Sequence, residues 1–484
     1  MRTVPGYDLD MILYKQNSLG YNAVSGENTM KLTLTRKDAL ALGIVSFAVL
    51  VWNIWSGSLL SWDEAFYGAV SKEIFRTGDW INLYWTGMPW SDKPPLYMWI
   101  TSLFYGAFGI NEFSVRLFSV ICGTGTVLAV YFLARELYSR RAALASGLVL
   151  LTTWHFIWSS KVGMLDSALT FFITISLLFF QIGIRNRKFL FLPPVTFAMA
   201  FLTKGPGAVI IPIIIVLYAV LSGKTKKLFD AYILIGTALS TGIILWWHIA
   251  VFASYGENFI KNYLLQHLVK RTTTALDDHT GTFFTYFKTI PNKGRPWSLA
   301  GLILIPTAIF RIFHSREKQH LLPVIWASLV ILLFSAVQTK LHWYIIPVYP
   351  ALAILTGWGL ESIAKKHTIP LTALLAIFSI VYLTLDKGIF NLDYSPNIKA
   401  TYIGVSSDVP EKEKLFLYDI SDPGLQFYLG WRGFNVRNEQ TLDSAFKARD
   451  SFILLNKRNA PRLPSEGYII ISEYPDHILI KPEK

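Results

Sequence analysis

Cysteine is almost missing from this chain. Cys122 is the only one, so no intrachain disulfide can form and thiol usage leaves the redox compartment open. Charge is thin as well: Asp, Glu, Lys and Arg make up 16% of the 484 residues, and acids are the scarcer sign, 32 against 45 basic residues. No internal repeat and no low-complexity segment is present. A cleavable leader is not evident, because residues 1–37 are polar and the first apolar run is long enough to stay as a helix. Met30, followed by Lys31 and then Arg36-Lys37, reads as an alternative start, which leaves residues 1–29 little functional weight.

What fills the chain is apolar. Hydrophobic residues make up 52% and aromatic residues 15%, and the mean hydropathy is +0.40, a composition rare in soluble proteins of this length. Runs long enough to cross a hydrocarbon core, about 20 residues, recur from Ala39 to Leu385. They predict about eleven transmembrane helices, near 38–59, 113–134, 141–160, 164–183, 188–203, 205–222, 229–253, 297–314, 321–338, 343–363 and 369–386. The shorter aromatic-rich stretch 95–109 reads as an interfacial or re-entrant piece.

The net charge of +13 does not imply nucleic acid. Basic residues cluster in alternate connections: Arg135, Arg140 and Arg141; Arg185, Arg187 and Lys188; Lys224, Lys226 and Lys227; Arg311, Arg316 and Lys318; Lys365 and Lys366. Positive-inside topology accounts for that alternation and places the N-terminus in the cytoplasm. The other connections then face outward, including the long loops 60–112 and 254–296, which exceed what a mere connector needs. After Asp386, short apolar runs such as Leu415–Tyr418, Phe452–Leu455 and Tyr468–Ile471 alternate with polar spacers. They predict a small soluble α/β domain on the outer side. Three parts follow: a cytoplasmic tail 1–37, a transmembrane module 38–387, and an extracytoplasmic domain 388–484 that reads as a scaffold or lid.

The ionisable residues outside the basic loops fall at the outer ends. Ser61-Trp62-Asp63-Glu64-Ala65-Phe66-Tyr67 sets two carboxylates among aromatic rings. Partial desolvation there favours proton uptake and suits a general base, although an acid at a helix start can equally be a cap. In Trp90-Ser91-Asp92-Lys93-Pro94-Pro95, two prolines stiffen a turn that presents Lys93 at headgroup depth, where a cation suits a phosphate. Asp166 begins an apolar helix, and an acid at membrane depth is costly without a role or a partner. Thr203-Lys204-Gly205-Pro206-Gly207 offers backbone N–H groups and a lysine, the ingredients of an anion site. No strand precedes it and the spacing is not that of a Walker loop. His267, in Gln266-His267-Leu268-Val269-Lys270-Arg271, and Asp92 are two candidate ligands for a divalent metal. Thr339-Lys340-Leu341-His342-Trp343-Tyr344 opens the tenth apolar segment on the outer face. Carboxylates, cations and an aromatic shelf on one face suggest a site where a lipid-borne phosphate meets a polar group.

These motifs together resemble the GT-C glycosyltransferases. The Asp-Glu after the first helix, the Lys-Pro-Pro of the first loop, the Leu-Asp opening a helix, the Thr-Lys-Gly turn and the Lys-Leu-x-x-Tyr-x-x-Pro helix start carry the resemblance over 38–386. It is nearest to the bacterial branch of lipid A aminoarabinose transferases and protein O-mannosyltransferases, and the trailing domain looks like that of the aminoarabinose branch. The resemblance implies a polytopic fold and transfer of a sugar from a polyprenyl-phosphate donor to a lipid, glycan or protein acceptor on the outer face of the plasma membrane. Asp63 would be the principal catalytic carboxylate, with Glu64 beside it and Asp166 in support. Lys93, Lys204 and Arg271, with Lys340, would neutralise the donor phosphate, and Tyr344 would hydrogen-bond it. Asp92 and His267 would match a metal pair holding Zn, Mg or Mn, where the family's acid is a glutamate. Phe66 departs from the basic residue usual three positions after the catalytic acid. Two readings from other classes are a secondary transporter or flippase, which calls for polar residues near the midplane and often an inverted repeat, and an inactive lipid-binding subunit.

Overall fold

The structure, a computed structural model, describes residues 35–261, 263, 281–385, 391–410, 413–418, 420, 422–429, 433–436, 446, 451–462 and 466–483. Helix α1 (35–51) ends eight residues short of the expected boundary at 59. The buried Lys161 ammonium accounts for the stop, since it donates to the carbonyls of Leu50 (3.4 Å) and Trp52 and so caps the helix end. Asn53, at φ 65°, then turns the chain.

The first long loop, 60–112, is itself folded. It holds α2 (Asp63–Thr77), a two-stranded ribbon of β1 (Tyr84–Trp85) and β2 (Met88–Pro89), and α3 (Leu96–Phe108), the piece expected at the interface. Then come α4 (Glu112–Leu137), α5 (Arg140–Leu151) and α6 (Trp154–Lys161), with a 64° bend between α5 and α6. The Ser139 hydroxyl accepts from the Arg141 N–H (3.1 Å) and the Ala142 N–H (3.3 Å), capping α5 beside a basic cluster. α7 (Leu165–Gly183) is followed by α8 (Leu192–Lys204) and α9 (Ile210–Ser222), which are separated at Gly205, where φ is 58°. α10 (Ala231–Tyr255), α11 (Thr285–Lys293), α12 (Ser298–His314), α13 (Leu321–Ala336), α14 (Tyr349–Ala364) and α15 (Thr368–Leu385) complete the module.

A helix thus stands in each of the eleven expected segments. By length and composition alone, six helical stretches among the described residues can cross a bilayer, seven if α5 and α6 form one bent span. α4, α5, α7 and α14 make the buried centre, and α10, α12 and α15 surround it with exposed apolar side chains such as Leu239, Ile249, Ile303 and Phe378. That distribution suits lipid contact. The protein is a multi-pass helical membrane protein.

Beyond it lie α16 (Pro396–Asp408), β3 (Lys414–Tyr418), α17 (Pro423–Leu429), β4 (Gly433–Val436), β5 (Ser451–Asn456), β6 (Tyr468–Glu473) and β7 (His477–Pro482). The strands form one sheet in the order β4-β3-β5-β7-β6, parallel across β4, β3 and β5 and antiparallel beyond. Alternating buried residues such as Leu415, Leu417, Phe452 and Leu454 pack one face against α16 and α17. Of the helices of this domain, α17 rests on α2, and α16 packs against α17.

Candidate functional site

The Lys204 ammonium lies 2.5 Å from the Asp166 carboxylate and 4.9 Å from the centre of the Tyr344 ring. Each comes from a helix end. Asp166 is in the first turn of α7, where the helix dipole favours an acid. Lys204 is the last residue of α8, and Tyr344 belongs to the 3-10 segment His342–Val348 that leads into α14. Asp166 is 2% exposed, so its charge is held out of water by its partner.

A cavity of about 350 Å³ opens beside this triad. Asp92, Lys93, Asp166, Lys204, Tyr263 and Tyr344 contribute polar groups to its lining. Its wall is otherwise apolar, made by Leu169, Ile210, Ile213, Leu333, Phe334 and Val337. The lining fits a ligand with an anionic head and a hydrocarbon tail. Asp63 does not line the cavity. It sits half-buried in the first turn of α2, where the Tyr67 hydroxyl donates to its Oδ1 (3.3 Å), and it lies within electrostatic reach of Asp166, as does Lys93. Phe66, one turn on from Asp63, packs against Trp85 (ring centres 4.6 Å) and Trp90 (5.2 Å), forming the aromatic shelf.

Asp92, Lys93, Asp166, Lys204 and Tyr344, five expected site residues far apart in sequence, therefore line one cavity. Arg271 and His267 lie outside the described residues. Two others are corrected. Glu64 is fully buried and its carboxylate is occupied: Oε1 accepts from Arg116 Nε (2.7 Å) and the Gly163 N–H (2.8 Å), Oε2 from the Leu60 N–H (2.6 Å). So saturated a group has no lone pair aimed at a substrate. Lys340 does not line the cavity and donates to the carbonyls of Phe334 (2.9 Å), Ser335 (2.7 Å) and Val337, capping α13 as Lys161 caps α1.

Asp92 and Asp166 are the carboxylates on the cavity wall, and Asp166 is committed to Lys204. No group of three or more His, Cys, Asp or Glu suited to a metal exists among the described residues. Asp92 lines the cavity, while its expected partner His267 lies outside the described residues, so no chemistry is derived through a metal.

Sequence reasoning missed Tyr263, and it missed His155. The His155 ring bridges the Tyr349 hydroxyl (2.8 Å) and His342 Nδ1 (2.9 Å), tying α6 to both ends of the segment that carries Tyr344. Neither stands out in an apolar, aromatic stretch. Only the run of rings from Phe252 to Tyr263 marks the neighbourhood of the first.

Residues 92–248 match the family model described as dolichyl-phosphate-mannose-protein mannosyltransferase. An uncharacterized protein of Aquifex aeolicus is 30% identical over 357 residues, covering 73% of this chain and 70% of that one. An undecaprenyl phosphate-alpha-4-amino-4-deoxy-L-arabinose arabinosyl transferase of Pseudomonas aeruginosa is 27% identical over 380 residues, 74% of this chain and 68% of its own. Among solved structures, ArnT from Cupriavidus metallidurans bound to undecaprenyl phosphate superposes with a TM-score of 0.72 at 20% identity, over 93% of this chain and 98% of that one. At that identity the last similarity speaks for the fold.

Proposed function

The chain belongs to the GT-C superfamily of glycosyltransferases, and from that premise we propose that it moves a sugar from a polyprenyl phosphate to an acceptor at the outer face of the plasma membrane, with inversion. The observation that carries the donor class is the mixed lining of the cavity: Lys93, Lys204 and Tyr344 together with a largely hydrocarbon wall.

The chemistry follows from those groups. A polyprenyl phosphate leaves without needing a proton, so the barrier is chiefly the charge that moves onto its oxygens as the anomeric C–O bond breaks. Lys93 and Lys204 are fixed cations placed to meet that charge in a water-poor site, an effect of about 3–4 kcal/mol for one well-placed donor. Asp166 orients Lys204 and keeps the empty site from carrying an unpaired buried charge. Asp63 acts on the other reactant. For a hydroxyl acceptor it takes the proton as the oxygen attacks opposite the leaving phosphate; for an acceptor already ionised it positions that group. The aromatic shelf of Phe66, Trp85 and Trp90 packs one turn on from Asp63. The outward orientation of the site rests on the basic clusters at the opposite helix ends.

The test is mass spectrometry of the purified protein with a panel of polyprenyl-phosphate sugars and an envelope lipid and glycan extract, beside Asp63→Asn. Release of free polyprenyl phosphate with a matching mass gain on one acceptor, lost in the variant while donor still binds, is the expected result. Saturable donor binding with no cleavage in the wild type would turn the reading to a lipid-binding subunit or flippase.

A further inference from the structure

We infer that the C-terminal domain is part of the catalytic apparatus: through Asp422, Tyr428 and Asp393 it holds segment 57–61 and so sets the position of Asp63. The inference rests on the reading of Asp63 as the base.

The backbone before Asp63 is gripped from two sides. From within the membrane module, the Arg116 guanidinium donates to the carbonyls of Ile54 (3.2 Å), Ser56 (2.8 Å) and Ser58 (2.9 Å). From the C-terminal domain, Asp393 Oδ1 accepts from both the Ser58 N–H (2.9 Å) and its hydroxyl (2.6 Å). The Tyr428 hydroxyl accepts from the Leu59 N–H (3.0 Å) and donates to Glu112 (3.0 Å). Asp422 Oδ2 accepts from the Ser61 hydroxyl (2.9 Å), while its Oδ1 accepts from the N–H groups of Gly424 (2.7 Å) and Leu425 (3.3 Å) at the start of α17. Asp422 is thus anchored to its own helix and reaches across to the segment.

Two further features make the grip more than domain docking. Trp62, the residue between Ser61 and Asp63, has φ 70°, in a region that a bulky side chain rarely enters. Such a conformation persists where the surroundings over-determine it, and here its neighbour Ser61 is pinned by Asp422. In addition, Gly57 meets Leu392 and Asp393 so closely that an added Cβ would fall 2.6 Å from their backbone atoms. The two segments are fitted backbone to backbone six residues before the carboxylate.

Asp422 and Tyr428 are therefore positioning residues. They touch no reactant, and their loss lets Asp63 drift while Lys93, Lys204 and Tyr344 stay in place. Displacement of a reacting group by about 1 Å costs on the order of a hundredfold in rate. In the full-length protein in nanodiscs, Asp422→Ala and Tyr428→Phe are expected to lower kcat about 10- to 100-fold with donor KM and the melting temperature little changed. Asp422→Asn is expected to recover most of the rate, since its amide nitrogen can donate to the Ser61 oxygen while its carbonyl keeps the α17 contacts. Wild-type kcat in both Asp422→Ala and Tyr428→Phe, with Asp63→Asn inactive, would overturn the inference and leave the base assignment standing. A fall in kcat explained by loss of folded protein, with no recovery in Asp422→Asn, would also overturn it. Retained transfer in Asp63→Asn would sink the base assignment itself.

Discussion

Glu64 and Arg116 form a fully buried ion pair at 2.7 Å, joining the second helix to the fourth across 52 residues of sequence. Arg116 spends its remaining donors on backbone carbonyls, including that of Leu392 (3.3 Å), and Glu64 accepts two backbone N–H groups. A buried pair so fully hydrogen-bonded is expensive to break singly, because the survivor keeps its charge without a partner.

Arg116→Met and Glu64→Leu are each expected to destabilise the protein by about 3–5 kcal/mol, read as an earlier thermal transition in detergent and a lower yield of folded protein. Asp63→Asn, one residue away, is expected to leave that transition in place. A wild-type transition in Arg116→Met would remove the structural role given to the pair.

Lys204→Ala removes a cation from the cavity lining and leaves Asp166 buried without its ion-pair partner. Polyprenyl phosphate binding, followed by native mass spectrometry, is expected to weaken by roughly 10- to 100-fold, corresponding to about 1.5–3 kcal/mol for a hydrogen bond to a charged group. Unchanged affinity would mean the phosphate rests elsewhere.

Lys93→Met and Lys340→Met separate a binding lysine from a capping one. The first is expected to weaken donor binding and leave the melting temperature unchanged. The second exposes three carbonyls at the end of α13 and is expected to lower stability by about 1–3 kcal/mol while donor affinity holds. The reverse pattern would return Lys340 to the phosphate site.

Lys72 supplies a pH-dependent prediction at the contact between α2 and α17, where its ammonium donates to the Phe427 carbonyl (2.7 Å). Desolvation by burial, and after it the neighbouring Arg76, lowers its pKa from 10.5 to about 8. The unfolded chain then holds one more proton than the folded one between those values, so stability is lower below about 8 and rises as pH climbs toward 10.5. The melting temperature of the wild type relative to Lys72→Met is expected to rise from pH 7 to pH 10; a flat difference would refute the shift.

Some of this was legible in the linear chain because membranes impose simple rules. The apolar runs, the alternate basic connections and the short apolar runs between polar spacers in the tail need only local composition to be read, and helices and a sheet stand where those patterns put them. The end of the first helix was misplaced by eight residues, because a cap supplied from residue 161 stops it, and no window around residue 51 contains that information.

Of the candidate site, the sequence by itself determined which residues carry charge at one set of ends of the apolar helices, since an ionisable group there must have a partner or a task. It did not determine which of the two. Asp166 and Lys204 pair at the cavity, whereas Glu64, Lys161 and Lys340 are spent on a buried arginine and on helix ends. The difference is one of geometry: a carboxylate or ammonium is structural when every lone pair or N–H is satisfied by neighbours, and available when one side faces open space. Partners drawn from residues 50, 116, 163 and 334 settle that question, and only the tertiary packing brings them together.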